Sequence, residues 1–200
     1  MKRILAAAAL AAFSLGASAQ LSFSGGSTIS FSNYDPSGLT APQSSGSQNA
    51  LVSSSISGLL TATFLGKEAI DQDSYRFNLP GNPSLLNTQS LGSQISANVA
   101  IGSLPFSFAD LYTGTTVNNG GPVTSFTSYV VLLNRDGTAY TDGGLYQIVL
   151  GFNDGLTVDA DYDDMVIGLN VAAVPEPETY ALMLAGLGAI GFIARRRRQG

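Results

Sequence analysis

Five aspartates, Asp154, Asp159, Asp161, Asp163 and Asp164, fall within eleven residues of this 200-residue chain. Carboxylates that close repel one another, so the segment either stays solvated or draws in a cation. Calcium suits it, because that ion accepts roughly six to eight oxygens at flexible angles, and acids at i, i+2 and i+4 can converge on it from a loop. Asp159, Asp161 and Asp163 match the first three positions of an EF-hand loop. Asp164 stands where that loop needs glycine, however, and Asn170 where it needs a bidentate glutamate, which excludes an EF-hand. Two readings remain: a calcium site, or a solvated loop whose Tyr162 and Met165 pack on the last strands.

Other chemistry has little to work with. The chain has no Cys and no His, which removes thiolate zinc sites, cysteine nucleophiles, the Ser-His-Asp triad and nearly all transition-metal sites. Lys67 is the only lysine outside the N-terminal segment, and no Ser-x-x-Lys, Gly-x-Ser-x-Gly or glycine-rich phosphate motif is present. Asp71, Asp73 and Asp110 could supply a glycosidase pair, but spacing in sequence does not give the separation that chemistry requires. With no Trp to stack on sugars, the expectation is a protein without catalytic residues.

Charge is laid out unevenly. Lys2 and Arg3 begin the chain and Arg195, Arg196, Arg197 and Arg198 nearly end it, leaving Lys67, Arg76 and Arg135 between. Those three face twelve acids over residues 20–174, a net charge of −9. A nucleic-acid partner is excluded on this ground, since phosphate neutralisation needs a basic face.

The body that must position the aspartates reads as strands. Apolar residues alternate at Leu21 and Phe23, at Ile29 and Phe31, along Ile95, Ala97, Val99 and Ile101, and at Phe106 and Phe108. Further strands are expected around Leu59–Leu65, Tyr75–Leu79, Tyr129–Leu133, Tyr146–Phe152 and Met165–Val171. Turn signals separate them, among them Pro80-Gly81-Asn82-Pro83, Asn118-Asn119-Gly120-Gly121 and Asp142-Gly143-Gly144. About eight strands in this arrangement predict an all-β fold, an antiparallel sandwich or jelly-roll-like domain over residues 20–172. Pro36–Ser57, poor in apolar anchors, reads as a long mobile loop, and Gly66–Asp73 as room for one helical turn.

Both ends carry addresses. Residues 1–19 form a secretory signal peptide: Lys2 and Arg3, a short apolar core from Ile4 to Leu15, and an Ala17-Ser18-Ala19 site at which signal peptidase would cut before Gln20. At the other end Val174-Pro175-Glu176-Pro177 reads as an extended spacer. Fifteen uncharged residues follow, Tyr180–Ala194, about 22 Å as a helix. A transmembrane helix over about 179–194 is expected, short enough to need arginine snorkelling, with Arg195–Arg198 kept inside the cell. Ala181, Ala185 and Ala189 form a stripe of small residues along it.

This tail, residues 173–198, closely resembles the PEP-CTERM sorting signal of Gram-negative bacteria. Val174, Pro175, Glu176 and Pro177 match its motif, and Arg195, Arg196, Arg197 and Arg198 its basic stop. The resemblance implies a precursor held in the inner membrane until an exosortase recognises the Pro-Glu-Pro region and releases or transfers the body to the surface or the extracellular matrix. It also implies an association with exopolysaccharide and biofilm. Asp161-Tyr162-Asp163-Asp164-Met165-Val166-Ile167 separately resembles an acidic signature near the end of many bacterial surface β-domains. The leading expectation is thus a non-enzymatic exported protein; the alternatives are a calcium-stabilised adhesive module and a carbohydrate-active enzyme.

Overall fold

A computed structural model describes residues 20–34, 38–41, 43–69, 71–123, 127–155, 161–174 and 177–198. The signal-peptide segment 1–19, Asp159, Pro175 and Glu176 lie outside the described residues. In chain order the strands are β1 (Leu21–Ser24), β2 (Ser27–Tyr34), β3 (Gln43–Gln48), β4 (Leu51–Ser54), β5 (Gly58–Gly66), β6 (Asp73–Phe77) and β7 (Ser84–Leu86). There follow β8 (Gln94–Val99), β9 (Gly102–Ser103), β10 (Phe106–Asp110), β11 (Thr116–Asn118), β12 (Ser128–Leu132), β13 (Ile148–Asn153) and β14 (Met165–Ala173), then one helix, α1 (Pro177–Arg198).

All strand pairings are antiparallel, as the alternating pattern predicts. A seven-stranded sheet runs β2-β3-β12-β13-β14-β5-β8, a four-stranded sheet β11-β10-β6-β7, and a three-stranded sheet β1-β4-β9. One hydrophobic core joins all three: Leu21 and Val52 from the smallest, Tyr75, Phe77, Phe106 and Phe108 from the second, and Phe64, Tyr129, Phe152 and Ile167 from the largest. Phe108 on β10 stacks on Phe152 of β13 at 4.9 Å, an aromatic contact across the two main sheets worth roughly 0.5–1.5 kcal/mol beyond its buried area.

Strands in the middle of the large sheet are buried on both faces. Along β12, Tyr129 and Val131 enter the main core, whereas Val130 and Leu132 join a second cluster with Val149, Tyr162 and Val166 on the opposite face. That explains the near-continuous apolar runs of β12 and β13, which strict alternation would not produce. Edge strand β8 keeps the simple pattern, turning Ile95, Ala97 and Val99 inward and leaving Gln94, Ser96 and Asn98 exposed.

Three expectations are corrected. There are fourteen strands among the described residues, not eight, because short pairs such as β7, β9 and β11 carry too few residues for a pattern. Pro36–Ser57 is not one mobile loop: it contains β3 and β4. Gln-Ser-Ser-Gly-Ser-Gln has no apolar residue to announce β3, and the neighbouring strand sets it instead. A Cβ at Gly46 would lie 2.6 Å from Val130 Cβ, so β3 fits only because it is small there. In the segment thought able to hold a helical turn, Lys67–Ala69 are irregular.

The C-terminal helix forms where the sequence places it. Among the described residues no helix is long and apolar enough to cross a membrane. Its uncharged run, 179–194, covers only sixteen residues before four arginines, about 24 Å against a hydrocarbon core of about 30 Å.

Candidate functional site

The aspartate run occupies the connection between β13 and β14, which are paired neighbours with Phe152 opposite Met165. Its end is fixed by Tyr162. This residue has φ 63°, a left-handed conformation uncommon for a bulky side chain. Tertiary contacts impose it. The ring is 2% exposed, packs on Phe31 at 5.2 Å, and its hydroxyl accepts from Gln48 Nε2 at 2.9 Å and lies 3.0 Å from Ser128 Oγ. Beneath it Gly151 leaves room, since a Cβ there would sit 2.4 Å from the Tyr162 carbonyl oxygen.

Around this turn the acids separate into two groups. Asp164 Oδ2 accepts from the Asp154 backbone N–H at 2.7 Å, closing the mouth of the loop, while the Asp154 carbonyl accepts from Thr127 Oγ1 at 2.8 Å. Both carboxylates lie on the side of β6, where together with Asp110 and Asp71 they act on Asp73. Asp161 and Asp163 instead meet the loop after β5, whose Glu68 N–H donates to the Asp163 carbonyl at 2.8 Å. One carboxylate oxygen from each of Glu68, Asp161 and Asp163 lies within 4.8 Å of the other two.

Asp163 is 7% exposed, and its Oδ1 is buried without a hydrogen-bond partner. Burial, followed by Asp161, Glu68 and Asp164, holds its carboxyl well above the usual carboxylate range. Glu68 escaped sequence reasoning because it lies far from the aspartates in the chain, and nothing in its local pattern marks it. Asp154 and Asp164, read as candidate calcium ligands, are not part of this triad.

On the other side, Asp73 opens β6 and registers directly against Asp110 at the end of β10. Both are fully buried. Asp110 Oδ1 accepts from the backbone N–H groups of Tyr112 and Thr113, capping the turn before β11. Asp73 Oδ2 accepts from Asn87 Nδ2 at 3.0 Å, leaving Asp73 Oδ1 and Asn87 Oδ1 without partners. Desolvation first, then repulsion from Asp154, Asp164, Asp110 and Asp71, pushes Asp73 up to about 8, so at neutral pH it is mostly a neutral acid. A pair sealed from solvent in this way has no open face toward a glycosidic bond.

Beyond the acidic loop, β14 ends with Ala173 opposite Gly58, and Val174 is 55% exposed. Pro177 starts α1, along which Leu182, Leu184, Leu187, Ile190 and Ile193 are all more than half exposed. Ala181, Ala185 and Ala189 are exposed as well, as are Arg195 and Arg196. Among the described side chains of this helix none is buried. Residues 173–198 match the family model of the PEP-CTERM protein-sorting motif. The chain carries a PEP-CTERM sorting tail. The tail begins as the last strand ends, so the PEP-CTERM segment follows the sheet without interrupting it. Such a motif implies export and processing at a membrane by an exosortase. No curated protein and no solved structure matches the chain.

Proposed function

We propose that this chain is a non-enzymatic exported protein whose β-rich body is delivered to the cell surface or the extracellular matrix after an exosortase acts on its PEP-CTERM tail. The observation that carries the reading is the placement of that tail: the matched segment starts at residue 173, where the last strand pair closes, and its described side chains are exposed. Processing there removes nothing from the core. Val174, Pro175, Glu176 and Pro177 form the recognised motif, and Arg195–Arg198 the stop that retains the precursor until it is cut.

The start of the body supports cleavage by signal peptidase between Ala19 and Gln20. Gln20 is already bound into the fold, its carbonyl accepting from Ser55 N–H at 2.8 Å and its side-chain oxygen from Gln147 Nε2 at 3.2 Å. A non-enzymatic role is supported by the absence of Cys and His and by the sealed Asp73–Asp110 pair. The mature body, acidic and poor in charge of either sign, is suited to a hydrated exopolysaccharide matrix rather than to nucleic acid.

Mass spectrometry of the surface protein from strains with and without the exosortase tests the reading. The expected result is a chain starting at Gln20 and lacking the arginine-ended tail only where the exosortase is present. An identical, intact tail in both strains would overturn it.

A further inference from the structure

The loop after β5 and the loop before β14 are brought side by side by the pairing of β5 with β14, the most extensive ladder in the sheet. At their junction Glu68, Asp161 and Asp163 present carboxylate oxygens within 4.8 Å of one another. Three acids so close repel, and such an arrangement is stable only if protons or a cation occupy it. The Asp163 Oδ1 atom decides between plain solvation and a binding site. Solvated surface carboxylates have water on every oxygen, whereas Asp163 is more than nine-tenths buried and this oxygen faces no donor at all. A carboxylate oxygen only accepts, so what would satisfy it is a proton donor or a metal ion.

We propose that Glu68, Asp161 and Asp163 bind a divalent cation of the calcium class, which ties the loop after β5 to the loop before β14. All three ligands are hard oxygens, with no nitrogen or sulfur ligand nearby to favour zinc or copper; the chain has no His and no Cys. Two of them sit on one short turn held by Tyr162, and the third comes from another loop fixed by the Glu68 N–H to Asp163 carbonyl bond. Ligands drawn from two loops tolerate the longer, irregular oxygen contacts of calcium better than the tight octahedron of magnesium. Glu68 and Asp161, less buried than Asp163, leave the remaining positions to water. This site is independent of the sorting tail, and either can fail without the other.

The test is calorimetry and thermal melting of the metal-stripped full chain with calcium chloride, magnesium chloride, and potassium chloride at matched ionic strength. Calcium is expected to bind with measurable heat and to raise the melting temperature by several degrees, well above magnesium. Glu68→Gln, at an exposed position where folding is not at risk, is expected to weaken calcium at least tenfold while leaving the metal-free melting temperature equal to or slightly above that of the native chain, since one of the three repelling charges is gone. Asp161→Asn is the second variant, expected to act the same way. Absence of heat with the native chain, an equal shift with potassium, or wild-type affinity in Glu68→Gln would each overturn the proposal.

Discussion

Gly151 on β13 lies against the backbone of Tyr162, so close that a Cβ would come within 2.4 Å of the Tyr162 carbonyl oxygen. Both groups are held: Gly151 pairs with Val130 and Val166, and Tyr162 is fixed by its buried ring and hydroxyl contacts. Gly151→Ala is therefore expected to destabilise the body by about 2–4 kcal/mol, because the clash is with backbone and cannot be relieved by a rotamer change. Denaturant unfolding measures this. If the calcium site depends on the same turn, the variant should also lose calcium stabilisation.

Asp73 makes stability fall as pH rises. Its carboxyl goes from an ordinary value of 3.8 in the unfolded chain to about 8 in the fold, so folding favours the protonated form. That contribution is complete below about pH 4 and is lost as pH climbs through about 8, at up to about 1.4 kcal/mol per pH unit. The groups facing Asp73 are the acids Asp71, Asp110, Asp154 and Asp164, all of which act in the same direction. Melting temperatures of the native chain are expected to drop between pH 5 and pH 9 in metal-free buffer. Asp73→Asn should flatten that drop; an unchanged slope would count against it.

Asn119 substitutes for a strand. Its Nδ2 donates to the carbonyls of Val52 and Leu104, both at 2.8 Å, and its Oδ1 accepts from Val52 N–H at 2.8 Å and from Tyr129 Oη at 3.1 Å. Asn119→Ala strands several of these partners, with an expected cost of about 2–4 kcal/mol by chemical denaturation. Asn118→Ala next to it, with a single long side-chain contact at the surface, should cost under about 1 kcal/mol.

Ending the chain after Val174 should leave the melting temperature of the body within about 2 °C of the full chain. The described side chains of α1 are exposed, so their removal forfeits no core burial. A larger loss would mean that the helix packs on the sheets.

How much of this was legible beforehand differs from one element to the next. β8 announced itself by alternation, because an apolar residue at every second position has one physical use, a face turned to a core, whereas β5, β12, β13 and β14 stood out as mostly apolar runs between turn signals. β3 did not, since its pattern is polar and its placement follows from pairing with β12, where Gly46 sits opposite Leu132 and leaves room for the Val130 side chain. The five aspartates were visible as a cluster, yet their division was not. Sequence distance treats Asp163 and Asp164 as equivalent neighbours, whereas the turn at Tyr162 sends one toward Glu68 and the other toward Asp154 and Asp73.

By itself the sequence determined the all-β class, the negative body between basic ends, and the sorting tail, because each depends on composition or on order along the chain. Only the tertiary structure decided that Glu68 joins Asp161 and Asp163, that Asp73 is a buried acid facing Asp110, and that Gly151 must have no side chain. Those are relations between strands and loops distant in sequence, and they come into being only when strand pairing brings the loops together.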